Sequence, residues 1–386
     1  MGTRSKKKKR NKIILVVVEL LVIVALIAGL YVYKLMSEVE TPTITKEEEE
    51  QAQQSIELSS ETAEVLESYT NIALFGLDNR TTGNYDGGNS DCIMIASINN
   101  DTKEVKLVSV YRDTFLNVKE DTYNKINSAY SYGGPSNAIA ALNKNLNLDI
   151  EDYVAVDFGA VVEAVDLLGG IELTFTDQEA QIMNDNYIEE INEVTGHNTD
   201  LLPGGGTYQA DGVYALAYCR IRYTAGDDFK RTERQRTVLT QMIEKAKGSS
   251  IATVTEMIES MMGDIKTSYS SKEMLALASK VMDYELAGTH GWPFELCTGS
   301  YGSKGSIVVP TDLETNVEEL HEYLFEEKTE VSNTVQGISD YIINYTGCTA
   351  DVATRKDNPL TGDDNTSTTD TGYVVDAEAK ENEKAE

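Results

Sequence analysis

The chain has 386 residues, of which 33 are Lys or Arg and 64 are Asp or Glu, giving a formal net charge of −31. Duplex nucleic acids are bound mainly by Lys and Arg that neutralise phosphates, so this balance excludes general nucleic-acid binding through the bulk surface. Because 41% of the residues are apolar, the chain can bury a core, which also excludes wholesale disorder.

The chain begins with a basic head followed by an apolar stretch. Residues 1–12 contain seven Lys or Arg and no acid, so the head carries +7, and subtracting this from −31 leaves −38 for the other 374 residues. Residues 13–33 carry one charge, Glu19, and are long enough for a membrane-spanning helix. The positive head predicts a cytoplasmic N-terminus and an extracytoplasmic body. A cleaved signal peptide is the alternative, because residues 25–29 are mostly small, although the apolar stretch is longer than signal peptides usually have.

Composition divides the body into a stalk, a folded domain and a tail. Residues 34–69 are polar with an acidic run, which predicts an extracytoplasmic stalk that is partly helical. Residues 351–386 are acidic and rich in Thr, which predicts a disordered tail. In residues 70–350, short apolar runs alternate with helical patterns, and this predicts one α/β domain with a covered sheet. Strands are expected at 72–77, 93–98, 105–110, 153–158 and 214–223, and helices at 136–146, 160–168, 232–246 and 272–282.

The four cysteines predict one disulfide rather than a metal site. Their spacings fit no compact zinc motif, and an extracytoplasmic domain permits disulfides. Cys92 and Cys219 lie inside apolar runs and are expected to be small buried side chains. Cys297 and Cys348 both lie near the end of the ordered region. We hypothesise that these two form a disulfide, which is one of three connectivities that four cysteines allow.

Two common enzyme classes find no support in the sequence. The chain has three histidines, His197, His290 and His321, and none lies near a Ser or Cys in a nucleophile-elbow setting. Hydrolysis by a Ser-His-Asp triad is therefore not expected. A GxxxxGK[ST] loop is also missing from the sequence, so a P-loop nucleotide enzyme is excluded.

Arginine is concentrated in one segment of an otherwise acidic domain. Outside the head there are eight arginines, and five of them lie within residues 220–236. Guanidinium groups at a strand end beside a helix N-terminus predict an anion site suited to phosphate. A solvated helix face paired with nearby acids is the alternative. On the predicted strand, Arg220 and Arg222 point to the same face. On the following helix, one face is shared by Arg231, Arg234 and Gln235.

Acids and arginines also recur where other apolar strands begin or end. Asp78 and Arg80 end the first strand, Asp91 precedes the second, and Arg112 and Asp113 follow the third. Ligands of α/β folds bind at such a sheet edge. Carboxylates beside phosphate-binding arginines suggest a divalent cation, Mg²⁺ or Mn²⁺, with Asp78 and Asp91 as its ligands. For each acid taken singly, a capping or turn role is the alternative.

Six segments, taken in order, resemble the LytR–CpsA–Psr family. The resemblance covers roughly residues 70–250, and the membrane anchor with its short basic head also fits. Three residues differ from those common in the family, where Thr, Pro and Gly stand in place of Cys92, Tyr111 and Lys230. None of the three is a charged site residue. The segments are NIALFGLDNR (71–80), SDCIMIASI (90–98), VKLVSVYRDT (105–114), KINSAYSYGGP (125–135), DYVAVDFGAVVEAVDLLGG (152–170) and ALAYCRIRYTAGDDFKRTERQR (215–236).

The resemblance implies an α/β/α domain with a central mixed sheet and a membrane-anchored ligase of anionic wall glycopolymers. Such an enzyme takes wall teichoic acid, capsule or a similar glycan from an undecaprenyl-pyrophosphate carrier. It attaches the polymer through a phosphodiester to a peptidoglycan hydroxyl, outside the membrane of a Gram-positive-type envelope. The sequence does not identify the polymer, because the sugars are expected to be recognised by loops such as 177–206, which carry no known motif.

Motif by motif, the resemblance also implies roles for individual residues. The metal ligands would be Asp78 and Asp91. Apart from the resemblance, the reaction needs a carboxylate to take the proton of the acceptor hydroxyl, and Asp91 and Asp113 are the candidates. The pyrophosphate would be bound by Arg112, Arg220, Arg222 and Arg231 with Gln235. Supporting members of the site would be Arg80, Asp113, Asp228 and Arg234.

Two other functions use the same features. A lipid-pyrophosphate hydrolase would use water as the acceptor, and a non-enzymatic envelope regulator would bind polyprenyl pyrophosphate without turnover. In each case the isoprenoid needs an apolar channel, to which the helices at 136–146 and 160–168 could contribute. Ordinary core packing is the alternative role for both helices.

Overall fold

A computed structural model describes residues 58–78, 85, 87–222 and 227–349. The predicted basic head, the predicted membrane span at 13–33, most of the stalk, Arg80 and the tail at 351–386 lie outside the described residues. Among the helices that are described, none is both long enough and apolar enough to cross a membrane.

The described elements alternate along the chain as the sequence predicts for an α/β domain. In order, they are α1 (Ser60–Leu66), β1 (Tyr69–Leu77), β2 (Ser90–Asn99), β3 (Glu104–Val110), β4 (Phe115–Lys119), β5 (Thr122–Lys125), α2 (Ser128–Leu146), β6 (Asp152–Val156), α3 (Phe158–Leu167), β7 (Ile171–Phe175), α4 (Asp177–Asn186), α5 (Ile188–Thr195), β8 (Gly206–Ala210), α6 (Gly212–Arg220), α7 (Asp227–Lys247), α8 (Ile251–Met261), β9 (Ile265–Thr267), α9 (Ser271–Ser279), β10 (Glu285–Trp292), β11 (Leu296–Ser300), β12 (Ser306–Pro310), α10 (Leu313–Phe325) and α11 (Asn333–Thr346).

A six-stranded mixed sheet forms the centre of the domain, in the order β10-β3-β2-β1-β6-β9. β1 is parallel to β6 and β3 is parallel to β10, whereas the other neighbours are antiparallel. Three two-stranded sheets, β4–β5, β7–β8 and β11–β12, surround it. The expected mixed sheet is therefore confirmed.

Both faces of the central sheet are buried, as alternation along β1 shows. Ala73 and Phe75 join the large core formed with α2, α10 and α11, whereas Ile72 lies on the opposite face in a cluster with Leu239 of α7. Successive side chains of a strand point to opposite faces, so one strand contributes to two layers. The result is the α/β/α arrangement. A second core joins α3, α4, α5 and α6 to β7 and β8.

Local sequence signals explain where several elements begin. The carboxylate of Asp157 accepts a hydrogen bond from the amide of Ala160 at 3.0 Å, which ends β6 before residue 158 and starts α3. The described helix α2 includes a kink at Gly133 and Gly134. Pro135 begins its second part, where the fixed φ of proline suits a first helical turn. The predicted helix at 136–146 matches that second part.

Two segments differ from their predictions. Residues 214–223 were expected to be a strand but lie mainly in helix α6, whose first turn is capped by Asp211. Residues 177–206 were expected to be a loop but contain helices α4 and α5. In addition, α1 falls in the segment expected to be stalk, and its Leu66 is fully buried in the core.

Candidate active site

Four strand ends meet at one edge of the central sheet. Asp78 follows the end of β1, Asp91 is the second residue of β2, Arg112 follows the end of β3, and Asp157 follows the end of β6. Because β1 and β6 are parallel and β2 is antiparallel to both β1 and β3, all four positions lie at the same edge. The predicted convergence of acids and arginines is therefore observed for the described members.

A β-bulge places Asp91 at this edge. Gly76 pairs with Cys92 and Leu77 pairs with Ser90, so Asp91 is the extra residue between two paired positions. Bulges of this kind redirect a side chain and recur beside active sites. A Cβ atom added to Gly76 would lie 2.8 Å from the Cβ of Cys92. Glycine is therefore required for β1 and β2 to approach this closely next to Asp91.

Three arginines surround the carboxylate of Asp91. Nη1 of Arg112 donates to Oδ1 and Oδ2, at 2.9 Å each. Nη2 of Arg222 donates to Oδ2 at 2.9 Å, and Nη1 of Arg231 lies 3.9 Å from the same oxygen. The three arginines come from the segment after β3, from the segment after α6 and from α7. Asp91 thus joins three elements at one point.

Asp228 forms a second bridge between two of these arginines. Its Oδ2 accepts from Nε of Arg112 at 3.2 Å, and its Oδ1 lies 2.8 Å from Nη2 of Arg231. Asp113 lies beside them, with Oδ1 3.9 Å from Nε of Arg112 and 3.2 Å from Nζ of Lys125. The cluster therefore alternates carboxylates and cations, a pattern that holds the guanidinium groups in fixed positions.

Burial and charge act in opposite directions on the two inner arginines. Burial lowers the pKa of Arg112, but the carboxylates of Asp228, Asp91 and Asp113 outweigh burial and raise it. For Arg231, burial prevails and lowers the pKa, although Asp228 and Asp91 oppose it. Nε of Arg231 is buried and has no hydrogen-bond partner among the described residues. An unsatisfied buried donor beside a cavity suits an anionic ligand that supplies the missing acceptor.

Arg220 enters the site through a different set of contacts. It ends α6, and its Nη1 donates to Oε2 of Glu190 at 3.0 Å. Its guanidinium lies over the rings of Phe158 and Tyr187, at 4.6 and 5.1 Å from their centroids. Helix α6 can pack closely on α3 because of Gly212, where an added Cβ would lie 2.2 Å from the carbonyl oxygen of Val162.

Sequence reasoning missed Glu190 and Tyr187, because it treated their segment as a loop. A signal for helix α4 was present. Thr176 and Glu179 form a capping box, in which the Glu179 amide donates to Thr176 Oγ1 and Glu179 Oε2 accepts from the Thr176 amide. This pattern of a Thr followed three residues later by a Glu marks a helix start.

Arg234 makes different contacts from the arginines that surround Asp91. Its Nε donates to Oε1 of Glu179 at 2.9 Å, and its guanidinium lies 5.7 Å from the ring centroid of Tyr218. It is buried, with 6% of its surface exposed. Its contacts join α7 to α4 and α6. Arg231 and Gln235 of the same helix instead line the cavity described next.

A cavity of about 560 Å³ lies between the sheet and helices α3, α6 and α7. Along β1 the lining changes from Leu74 to Asp78, so an apolar interior leads to a charged end at the sheet edge. Arg112, Asp113 and Arg234 are not among the lining residues. The apolar lining includes Leu74, Val154, Val161, Leu216, Val238 and Met242, and the polar lining includes Asp78, Asp91, Glu190, Arg220, Arg222, Arg231 and Gln235.

The cavity corrects the expectation for the channel helices. Ala160, Val161 and Ala164 of α3 line it, whereas no residue of α2 does. Ile139 and Leu142 of α2 are instead buried in the large core on the other side of the sheet. Core packing is thus the role of the helix predicted at 136–146.

The cysteines are divided between the cavity and a disulfide. Cys297 and Cys348 form the hypothesised bond, with an S–S distance of 2.04 Å. Cys92 and Cys219 are free and line the cavity. Burial raises the pKa of Cys92 to about 12 and also raises that of Cys219. Both thiols therefore stay protonated at neutral pH.

The donor set at the sheet edge fits a cation that is shared with a phosphate ligand. Asp78 and Asp91 line the same cavity. The described residues contain no group of three or more His, Cys, Asp or Glu side chains that could hold a metal alone. Mg²⁺ is usually bound by one or two carboxylates together with substrate phosphates and water. If the neighbouring arginines bind phosphate, Asp78 and Asp91 would be the two carboxylates of such a site.

Comparisons with known proteins agree with the geometry. A family model described as LytR_cpsA_psr family matches residues 30–290. Polyisoprenyl-teichoic acid–peptidoglycan teichoic acid transferase TagU of Enterococcus faecalis is 29% identical over 219 residues, which are 56% of this chain and 66% of TagU. The enzyme of the same description, TagT, of Bacillus subtilis is 29% identical over 209 residues, which are 53% of this chain and 62% of TagT. The chain therefore spans slightly less than two thirds of these relatives.

A similar fold is found in solved structures. The structure of TagT bound to LI-WTA superimposes with a TM-score of 0.52 at 24% identity, covering 67% of this chain and 89% of that one. At this identity the likeness concerns the fold.

Proposed function

Because this chain belongs to the LytR–CpsA–Psr family, we propose that it is a membrane-anchored phosphotransferase acting on anionic glycopolymers. It moves wall teichoic acid, capsule or a similar glycan from an undecaprenyl-pyrophosphate carrier to a peptidoglycan hydroxyl. One observation carries the proposal: a single cavity combines an apolar interior with arginines at its charged end. A polyprenyl pyrophosphate has the same division between an apolar chain and a charged head.

The lipid-linked glycan binds with its isoprenoid chain among the apolar residues of β6, α3 and α7. Its pyrophosphate lies at the sheet edge. Arg220, Arg222, Arg231 and Gln235 line that end and supply donors for phosphate oxygens. Arg112 does not line the cavity and holds Asp91 in place instead. We therefore assign Arg112 the role of a positioning residue, along with the bridging Asp228.

The reaction exchanges one phosphorus–oxygen bond for another. The acceptor hydroxyl oxygen attacks the phosphorus that carries the glycan, and the bond from this phosphorus to the bridging oxygen breaks. Polyprenyl phosphate leaves with that oxygen, and the glycan becomes linked to peptidoglycan through a phosphodiester. The hydroxyl proton passes to a carboxylate, for which Asp91 and Asp113 are the candidates. Of these two, Asp91 lines the cavity.

Electrostatic stabilisation is the main task of this site. Negative charge grows on the leaving polyprenyl phosphate as the anhydride bond breaks, and preorganised arginines stabilise it. Mg²⁺ or Mn²⁺ held by Asp78 and Asp91 would add a charge that neutralises phosphate oxygens. At physiological salt the screening length is about 8 Å, so the local cluster acts on the ligand despite the acidic body.

The test is a transfer reaction with three distinguishable products. The full-length protein in detergent is incubated with a lipid-pyrophosphate-linked glycan, Mg²⁺ and peptidoglycan oligomers, and the products are analysed by mass spectrometry. The proposal expects a glycan–peptidoglycan phosphodiester. Free glycan phosphate without a wall product would instead establish the hydrolase, and binding of the lipid without turnover would establish the regulator.

A further inference from the structure

Two exposed tyrosines form a flat aromatic surface on the last described helix. Tyr341 and Tyr345 are one helical turn apart on α11, and 42% and 44% of their surfaces are exposed. Their ring planes differ by 5° and their centroids lie 6.1 Å apart. We call this pair the tyrosine platform. It lies outside residues 30–290, the segment that the family model matches.

Each ring of the tyrosine platform is supported by another ring beneath it. Tyr341 stacks on Tyr123 with centroids 3.7 Å apart and planes 18° apart. Tyr345 stacks on Phe115 with centroids 5.2 Å apart and planes 22° apart. Phe115 is fully buried in the main core. One face of each tyrosine is thus fixed against the domain. Because both side chains are already restricted, little conformational entropy is lost when a ligand binds to them.

The platform is also anchored at its helix end. Cys348, two residues after α11, is bonded to Cys297 of β11. Nζ of Lys304 donates to the carbonyl oxygen of Tyr123 at 2.8 Å, which ties the supporting hairpin to the same region. Six large apolar side chains are exposed among the described residues, and Tyr341 and Tyr345 are the two that lie one turn apart on the same helix. Adjacent exposed aromatic rings of this kind can form a binding surface.

The hairpin beneath the platform leads directly to the candidate active site. Phe115 begins β4, two residues after Asp113, and pairs across the hairpin with Lys125. Nζ of Lys125 in turn lies 3.2 Å from Oδ1 of Asp113. Two residues of extended chain span roughly 7 Å. A short, paired segment therefore joins the surface to Asp113, which lies beside Arg112 in the cluster at the sheet edge.

We propose that the tyrosine platform binds the glycan strand of the acceptor, a chain of β-1,4-linked N-acetyl amino sugars. Aromatic faces carry partial negative charge and attract the C–H groups on the flat face of a pyranose ring. Two parallel rings offer one stacking position to each of two sugars along a strand. This contact needs no ionic charge, which suits a body of net charge −38 that repels anionic polymers at long range. The inference rests on the proposed function, since it assigns the acceptor of that reaction.

The test measures glycan binding and transfer separately, on the full-length protein in detergent. The probe is the hexamer of β-1,4-linked N-acetylglucosamine, titrated by calorimetry, and purified peptidoglycan sacculi serve in a sedimentation assay. The Y341A/Y345A double variant should bind the hexamer at least about tenfold more weakly, the loss expected for removed aromatic stacking. The Y341F/Y345F variant keeps both rings and should bind normally.

Tyr132 provides a matched control. It is 43% exposed on α2 and stacks on no ring among the described residues. Tyr132→Ala should leave hexamer binding unchanged. Wild-type protein that binds neither hexamer nor sacculi would overturn the proposal, as would equal binding by the double alanine variant or a loss of binding in the double phenylalanine variant.

Transfer assays distinguish this inference from the proposed function. The double alanine variant should raise KM for the peptidoglycan acceptor about tenfold and leave KM for the lipid-linked donor unchanged. An unchanged acceptor KM in an active double variant would overturn the platform alone. Hexamer binding that depends on both rings, in a protein that forms no phosphodiester, would refute the proposed function and support the platform as a wall-binding surface.

Discussion

Arg112 donates from a single guanidinium nitrogen to both carboxylate oxygens of Asp91, at 2.9 Å each. Its Nε contacts Asp228 at the same time. The guanidinium thus joins a strand end to helix α7 behind the cavity, and Asp91 presents its charge to the cavity itself. Arg222 and Arg231 also lie against Asp91, so the contact between Arg112 and Asp91 helps to fix the positions of all three arginines.

Removing an arginine from either half of the site should reduce transfer. We expect Arg220→Ala to lower kcat/KM about 100-fold, the scale of a lost electrostatic donor. Arg112→Ala should cause a loss of about the same size, because Asp91 and Asp228 lose the group that positions them. Arg112→Lys should also be impaired, because an ammonium cannot reproduce the forked contacts with Asp91 and Asp228. Lys230→Ala on α7 is the control, since it removes a partly exposed pair with Glu233 and should retain activity. Near-full transfer by both alanine variants would contradict the assignment.

Chelation should abolish transfer, and Mg²⁺ or Mn²⁺ should restore it. Asp78→Asn should raise the Mg²⁺ concentration needed for half-maximal activity by about tenfold or more, because one of two carboxylate ligands loses its charge. Asp101→Asn, a change at an exposed turn between β2 and β3, should leave the requirement unchanged. The measurement is the initial transfer rate against free Mg²⁺. Full activity after treatment with EDTA would refute the metal role.

Narrowing the cavity should discriminate between long and short lipid carriers. Val161 of α3 lines the apolar part of the cavity, and Val161→Phe places a larger side chain there. We expect about tenfold weaker binding of an undecaprenyl pyrophosphate, since fewer CH₂ groups can be buried. Binding of a short prenyl pyrophosphate, measured on the same variant, should change little because its head group still reaches the arginines. An equal loss of binding affinity for both lipids would mean that the isoprenoid does not bind in this part of the cavity.

Thiol labelling should separate the two cysteine pairs. Native, unreduced protein at about pH 8 should react slowly with iodoacetamide, because burial keeps Cys92 protonated with a pKa of about 12 and raises the pKa of Cys219 too. Unfolding without reduction should expose two thiols, and reduction should release Cys297 and Cys348 as well. Mass spectrometry counts the labels in each state. Four labels without reduction would exclude the disulfide.

Stability should fall in mild acid because of His321. Its Nε2 donates to the carbonyl oxygen of Leu146 at 2.9 Å and its Nδ1 contacts Thr329. Burial lowers the pKa of this imidazole from 6.5 to about 4, so the folded state holds it neutral and the unfolded state takes up a proton first. Above about pH 6.5 the neutral His321 adds nothing unfavourable to the free energy of unfolding. As the pH falls from there toward about 4, that free energy decreases by about 3 kcal/mol.

Urea unfolding at several pH values checks this expectation. The wild type should lose about 3 kcal/mol more between about pH 7 and pH 4 than His321→Gln, which cannot titrate in that range. Parallel stability profiles for the two proteins would show that His321 is not the group responsible.

Much of the fold was readable from the sequence, because its signals are local. Strands β1, β2 and β3 are apolar runs bounded by turn residues, and α7 carries a regular helical pattern. The convergence of Asp78, Asp91 and Arg112 was expected from their places at strand ends. The pairing of Cys297 with Cys348 was a hypothesis among three connectivities, and the structure confirms it. For the strands and the helix, neighbouring residues in sequence carry enough information to fix the element and its end.

Tertiary packing decided the direction of the individual side chains. Arg231 and Arg234 share a helix face by spacing, but Arg234 turns to Glu179 because α4 packs beside it. Arg220 and Arg222 look alike in sequence, but the first ends a helix capped by Asp211. An apolar run such as 214–223 suits a strand or a buried helix equally well, and only its neighbours select one.

The charge of the protein is likewise determined partly by the sequence and partly by the tertiary structure. Its total of −31, the basic head and the run of arginines are properties of the sequence. The contacts of Arg222 with Asp91 and of Arg112 with Asp228 instead join elements that lie more than 100 residues apart along the chain. Electrostatic attraction acts over a few ångströms through space, so the anion site exists only once the sheet edge and α7 have packed together.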